Sequence, residues 1–194
     1  DTAWMVDCVQ SLGKTDLNLA KTSIDYAPFS GHKLYAPKGV GFMYIKETAA
    51  FTPFIAGGGQ ESGLRSGTEN LPGLAALNVI FSMLNTASED TFTALKTLHV
   101  FRQQIATALT QAFPEIVFNH SFENSVPTTI NFSIPGFSSK EIMDLFDAAN
   151  IRVSSGSACS SKVVGSLVLD AKGLPNWQSE SAIRMSFGPA MTQQ

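Results

Sequence analysis

Charge is scarce in this chain. Of its 194 residues only 15% are Asp, Glu, Lys or Arg, against roughly 25% in an ordinary soluble domain, while the hydrophobic share of 44% is normal. The surface is therefore thinly charged, and part of it is expected to lie under a partner. Thirteen Lys and Arg against sixteen Asp and Glu leave a net charge of -3 with no basic run, which argues against partners such as nucleic acid or an anionic membrane surface. Cysteine is rarer still. Cys8 and Cys159 stand far apart in no C-x-x-C or Cys/His ligand spacing, so neither a disulfide framework nor a metal site is indicated, and a reducing, cytoplasmic setting fits. The start, DTAWMVD, has no basic segment followed by an apolar run, so no signal peptide is expected. Long apolar runs are missing too: Pro72, Asn78, Ser82 and Asn85 interrupt the uncharged stretch from Asn70 to Ser88, well short of the ~20 apolar residues a membrane helix needs. That stretch reads as a buried helix.

What is present is an alternation of strands and helices. AWMVDCVQ and Ile24 to Phe29 read as buried strands ending at loops, and KGVGFMYI as a strand running to Ile45. Pro53 to Gly73 is glycine- and proline-punctuated loop. Leu74, Leu77, Phe81 and Leu84 recur at helical spacing with only a thin polar stripe, which predicts a helix buried on most of its face. Leu95, Leu98, Phe101, Ile105, Leu109 and Ala112 mark a longer helix that Pro114 ends. TTINFSI alternates like a strand, and Ser138 with Glu141 forms a capping-box pattern ahead of Ile142, Leu145, Phe146 and Ala149. Ile151 to Ser154 and AIRMSFG read as further strands. The class is α/β, divided at the long helix into residues 1–89 and an α+β piece of residues 90–194.

Five places carry chemistry. In Ser30-Gly31-His32-Lys33, after a strand, hydrogen-bonding groups and an amine sit where ligands gather in α/β folds; Lys33 is suited to a Schiff base with a carbonyl cofactor, and a solvated lysine beside a turn is the plainer reading. Asp7 and Gln10 end the first strand, where a carboxylate can pair with a protonated ring nitrogen and an amide can hydrogen-bond a ring oxygen; Asp7 alone also reads as a strand-end cap. Gly63 to Asn70 (GLRSGTEN) offers backbone amides, Thr68 and Arg65 ahead of a helix, as a phosphate cradle or an ordinary connecting loop, and it lacks the G-K-[ST] ending of a nucleotide loop. Cys159 lies in SSGSACSS, a run too small and polar to bury a thiol, which suits a nucleophile or an incidental surface cysteine. Arg184 is a lone guanidinium on an apolar strand, and it either meets an internal acid or awaits an anionic ligand such as a carboxylate.

In order, VDCVQ, SGHK, PKGVG, GGGQESGLRSGTEN and SSGSACSS resemble the cysteine desulfurases of the class V aminotransferase family, the iron-sulfur-cluster and nitrogen-fixation type, across nearly the whole chain. The resemblance implies a fold-type I pyridoxal-phosphate enzyme, working as a homodimer, that takes sulfur from L-cysteine, leaves L-alanine, and passes a persulfide to a sulfur-acceptor or iron-sulfur scaffold protein. It implies Lys33 as the lysine bonded to the cofactor, Asp7 as the pyridine-nitrogen partner, Gln10 as the donor to the ring oxygen, and Ser30 and His32 as phosphate ligands. Thr68 would reach the phosphate in the other subunit, Cys159 would accept sulfur, and Arg184 would clamp the substrate carboxylate. Residues 1–89 then correspond to the rest of the large cofactor-binding domain and 90–194 to the small domain. The family's portion before VDxxQ is absent, so the chain is expected to be a C-terminal fragment, inactive alone. A selenocysteine lyase or another class V lyase would use the same Lys33, Asp7 and Arg184, and a non-catalytic dimerisation piece is the alternative of a different class.

Overall fold

Tyr26–Ser30 (β1) and Gly41–Ile45 (β2) pair antiparallel in register from Tyr26 opposite Ile45 to Ser30 opposite Gly41. The computed structural model to which they belong describes residues 2–86, 90–156 and 166–188, and the chain divides into two compact units, Asp1–Thr91 and Phe92–Gln194. In the first unit Ala27 and Phe29 point inward from β1 and pack with Cys8 and Ile24. Phe29 stacks on Phe42, which meets Phe81 edge-on at 5.2 Å between ring centroids. Phe81 belongs to helix α1, Leu71–Thr86, whose Leu77 packs with Ala36 and Val40.

Three expectations are corrected here. AWMVDCVQ is no strand: it contributes a single parallel bridge, Met5 to Tyr26, because the Asp7 carboxylate takes the N–H of Val9 and starts a turn. Ile151 to Ser154 likewise gives one bridge, from Ser154 to Arg184. Helix α1 is not buried on most of its face, for Leu71 is 70% and Val79 58% exposed within this chain. Its unit covers the face that carries Leu77, Ile80 and Phe81, and leaves Leu71, Leu74, Val79 and Met83 exposed.

The second unit is an antiparallel sheet, order β3-β4-β5, from Val117–Phe118, Thr129–Ser133 and Ile183–Ser186. Period-two alternation turns Ile130, Phe132, Ile183 and Met185 inward. They pack with Leu98 and Leu109 of α2 (Asp90–Ala112) and Ile142 of α3 (Ser139–Ala148); each such side chain buried in full is worth about 1.5–3 kcal/mol. The same alternation turns Asn131 and Arg184, directly opposite one another, to the other face. Ser138 and Glu141 cap α3 reciprocally, as their spacing predicts. Leu145 is 55% exposed, and Met143 and Phe146 pack against the core instead. Two short helices, α4 (Leu167–Ala171) and α5 (Asn176–Glu180), precede β5.

Two polar arrangements lie inside this unit. Arg102 of α2 is 3% exposed and has no acid partner among the described residues. It donates to Ser125 Oγ at 2.9 Å and to the carbonyls of Val126 at 3.0 Å and Phe122, and lies over the Phe122 ring. Asn119 donates to Asn131 Oδ1 at 2.7 Å and Ser133 Oγ at 2.9 Å and accepts from Gln178 Nε2; Ser133 in turn donates to the carbonyl of Gln178 at 2.6 Å. Both follow the rule that buried polar groups are hydrogen-bonded. Among the described residues no helix is long and apolar enough to cross a membrane.

Candidate active site

The segment Trp4–Val6 runs parallel to the start of β1, tied by Val6 N–H to the Tyr26 carbonyl at 3.0 Å and Asp25 N–H to the Trp4 carbonyl at 2.9 Å. Two chain segments with the same direction therefore end at the same edge, one leading into Asp7 and Gln10 and the other into Ser30, His32 and Lys33. Ligand sites in α/β folds form outside the carboxyl ends of such parallel segments.

Each group is held by local structure. The Asp7 carboxylate is exposed and accepts the Val9 N–H at 2.9 Å. The next residues wind into a tight turn, with Ser11 N–H on the Cys8 carbonyl and Lys14 N–H on the Ser11 carbonyl, both at 3.0 Å. Gly13 sits in this turn at φ +70°, where an added Cβ would lie 3.5 Å from both Leu34 and Leu84. Residues Gly31–Leu34 form a single 3-10 turn directly after β1. Gly31 is required there: its N–H donates to the Val40 carbonyl at 2.9 Å, and a Cβ would lie 2.9 Å from that same oxygen. The turn presents His32 to solvent and Lys33 half-buried, and Ser30 Oγ lies 2.7 Å from His32 Nδ1.

The electrostatics separate two groups from their ordinary behaviour. Burial, and then the adjacent Asp7 charge, push the Cys8 thiol pKa up, as its place in an apolar segment beside an acid predicts. Burial, and then the charge of Lys33, lower the pKa of Lys14. Lys14 also donates to Gln10 Oε1. Sequence reasoning did not single out Lys14, although its place four residues after Gln10, across a glycine, is a signal open to it. It also passed over Arg102, whose signal is a charge inside the stripe Leu98, Phe101, Ile105.

The other predicted residues belong to other segments of the chain. Thr68 is exposed between Gly67, at φ +109°, and the start of α1, and no hydrogen bond or ion pair joins it to Lys33 or Asp7. Its loop is pinned by Ser66, whose Oγ donates to the Gly58 carbonyl at 2.9 Å. Arg184 lies in the second unit, half-buried, exchanging backbone hydrogen bonds with Ser154. Among the described residues its guanidinium meets no carboxylate, which removes the internal-acid reading there. Cys159 lies outside the described residues.

Comparison with known proteins adds to this geometry. The family model for aminotransferase class-V matches residues 1–194. The chain is 36% identical over 182 residues to a cysteine desulfurase of Gluconacetobacter diazotrophicus, covering 93% of this chain and 45% of that protein. It is 35% identical over 192 residues to cysteine desulfurase IscS of Buchnera aphidicola, covering 97% and 46%. Among solved structures, a NifS-like protein superposes with a TM-score of 0.84 at 34% identity over 99% of this chain and 48% of its own, and a NifS-like protein from Rickettsia africae with 0.78 at 27% identity over 98% and 49%. The chain spans about half the length of the relatives it matches.

Proposed function

This chain belongs to the class V aminotransferase family, and from that premise we propose that it forms part of a pyridoxal-phosphate-dependent cysteine desulfurase. The donor set at the first unit's edge fits the cofactor of that family. An amine on Lys33 suits its carbonyl, the Asp7 carboxylate its ring nitrogen, the Gln10 amide its ring oxygen, and the Ser30 hydroxyl with the His32 imidazole 2.7 Å away its phosphate. Pyridoxal phosphate, when bound, supplies a carbonyl that condenses with amines and a ring that draws electrons from the substrate.

The residues of this chain divide the remaining work. The Asp7 carboxylate, fixed by the Val9 N–H, would hold a proton on the ring nitrogen. Lys33, on a turn pinned by Gly31, anchors the cofactor and moves protons to and from the substrate. Arg184, with no acid partner among the described residues, binds the substrate carboxylate. Cys159, as thiolate, attacks the sulfur of L-cysteine; the Cβ–S bond breaks with its electron pair kept by the carbon skeleton, which takes up a proton at Cβ to leave as L-alanine, and the persulfide formed on Cys159 is handed to an acceptor protein. Thr68 reaches the phosphate in a second subunit, which makes the working unit a homodimer. The observation that carries the reading is the common edge at which Asp7, Gln10, Ser30, His32 and Lys33 emerge from two parallel segments.

The test is run on the protein at its natural length. Pyridoxal phosphate is added, the adduct is fixed with borohydride, and peptides are read by mass spectrometry. The label is expected on Lys33 and lost in Lys33→Ala, with the circular dichroism of the fold retained. Label on another lysine in the unaltered protein refutes the assignment.

A further inference from the structure

Lys14 has no part in the roles set out above, yet it touches one of their members. Its ammonium donates to the Oε1 atom of Gln10, four residues before it. We propose that Lys14 is a positioning residue that fixes the Gln10 carboxamide with its N–H donors turned to the cofactor's ring oxygen. The inference rests on the functional reading above.

The argument is one of amide orientation. A glutamine amide is nearly symmetric in shape and opposite in chemistry at its two ends, Oε1 accepting and Nε2 donating. An exposed side chain exchanges these ends freely, and Gln10 is exposed. Facing an anionic ring oxygen, only the Nε2 end is attractive; the other sets two acceptors against each other. An ammonium has three donors and no acceptor, so it can bind Oε1 alone. With Oε1 taken by a charge-assisted hydrogen bond, Nε2 is the end left for a ligand.

Lys14 is suited to this task because its own place is determined. Its N–H closes on the Ser11 carbonyl at 3.0 Å, and the following Thr15 binds that same carbonyl by its N–H at 3.0 Å and its hydroxyl at 3.1 Å. Gly13 beside it lies 3.5 Å, at its notional Cβ, from Leu34 of the 3-10 turn and from Leu84 of α1. The turn bearing Gln10 and Lys14 is thereby docked on the turn bearing Lys33. Lys14 is half-buried, so its stem is held as well as its charge.

The experiment measures pyridoxal phosphate affinity by equilibrium dialysis, with the absorption maximum of the bound cofactor as a second reading, on the protein at its natural length. Lys14→Met is expected to bind about tenfold more weakly, which corresponds to about 1.4 kcal/mol, and to shift the maximum. Lys14→Arg, which restores donors to Oε1, stays within about threefold of the unaltered protein. Added to Gln10→Ala, the Lys14→Met change has no further effect, because a residue acting through Gln10 has nothing left to act on. Unaltered affinity and spectrum in Lys14→Met, or a tenfold loss that persists in the Gln10→Ala background, overturns the proposal. If Lys14→Met loses its near-ultraviolet circular dichroism, Lys14→Ala, which likewise offers no donor to Oε1, is read in its place against the same outcomes. Failure of the functional reading is distinct: borohydride then leaves no label on Lys33 even when Lys14 is intact.

Discussion

Replacing Asn119 by alanine should destabilise the second unit by about 2–4 kcal/mol. Asn119 is 6% exposed, and its carboxamide joins β3's end to β4 and α5 through Asn131, Ser133 and Gln178. Truncation leaves the buried Gln178 Nε2 without an acceptor, a penalty of about 1–3 kcal/mol. Ser133 Oγ keeps its bond to the Gln178 carbonyl, and the half-buried Asn131 recovers water, so those two losses add only about 1 kcal/mol together. At a urea slope near 2 kcal/mol/M the midpoint falls by about 1–2 M. The chain's two tryptophans are Trp4 and Trp177, so in a Trp4→Phe background fluorescence reports the second unit alone. Asn131→Ala, at a site that water reaches, should cost less than about 1 kcal/mol. A loss below about 0.5 kcal/mol for Asn119→Ala would show that the network contributes no stability and refute the reasoning. The matter bears on function because Asn131 lies opposite Arg184, so the network backs the strand that carries the proposed carboxylate clamp.

Incubated with L-cysteine, the natural-length protein should carry persulfide on Cys159 and not on Cys8, whose thiol is buried and raised in pKa; mass spectrometry of the Cys159→Ser protein should find none, and persulfide retained there would overturn the assignment. The raised Cys8 pKa also has a stability consequence: below the ordinary thiol range, about 8.5, its neutral form suits both states, and above it the unfolded chain ionises while the fold resists. Thermal midpoints should therefore fall more steeply with alkaline pH in the unaltered protein than in Cys8→Ala, and parallel curves would contradict this. His120 works in the opposite direction. Burial, outweighing its hydrogen bond to Asn131 and reinforced by Arg102 and Lys172, lowers its pKa, so stability is lost as pH falls from about 6.5, where the unfolded chain takes up a proton first. His120→Leu should flatten that part of the urea-midpoint profile, and an unchanged slope between pH 7 and pH 5 would count against it.

The parts of the fold legible in the sequence are those set by neighbouring residues. The capping box of Ser138 and Glu141, the alternation of TTINFSI and the break at Pro114 depend on a few adjacent positions, and the structure has all three. What was misread depends on distant partners. Hydrophobicity made AWMVDCVQ strand-like, but a strand exists by pairing, and past Val6 the chain turns under the Asp7 carboxylate. The α1 stripe said that apolar residues occupy the helix and could not say which rows would be covered. At the site, SGHK and VDCVQ are recognisable because their chemistry is written in side-chain type. Lys14 was not, since the spacing from Gln10 across a glycine is a weak signal until the turn closes and brings the ammonium onto the Gln10 amide.

The guanidinium of Arg102 has a consequence for how the second unit opens. Its oxygen acceptors lie 20 to 24 residues further along the chain, in the connection that leads from β3 to β4, while His99 Nδ1 on the same helix is 3.4 Å away. Were that connection to lift away by itself, a buried cation would lose all of those oxygens at once, a far larger penalty than an ordinary surface loop incurs. The connection and the middle of α2 are thus bound to release together or not at all. In a hydrogen-exchange experiment the amides around Arg102 and those donating within residues 119–131 should share one opening free energy and one denaturant dependence, forming a single cooperative unit out of a helix and a stretch that by sequence alone would be assigned to the fast-exchanging exterior.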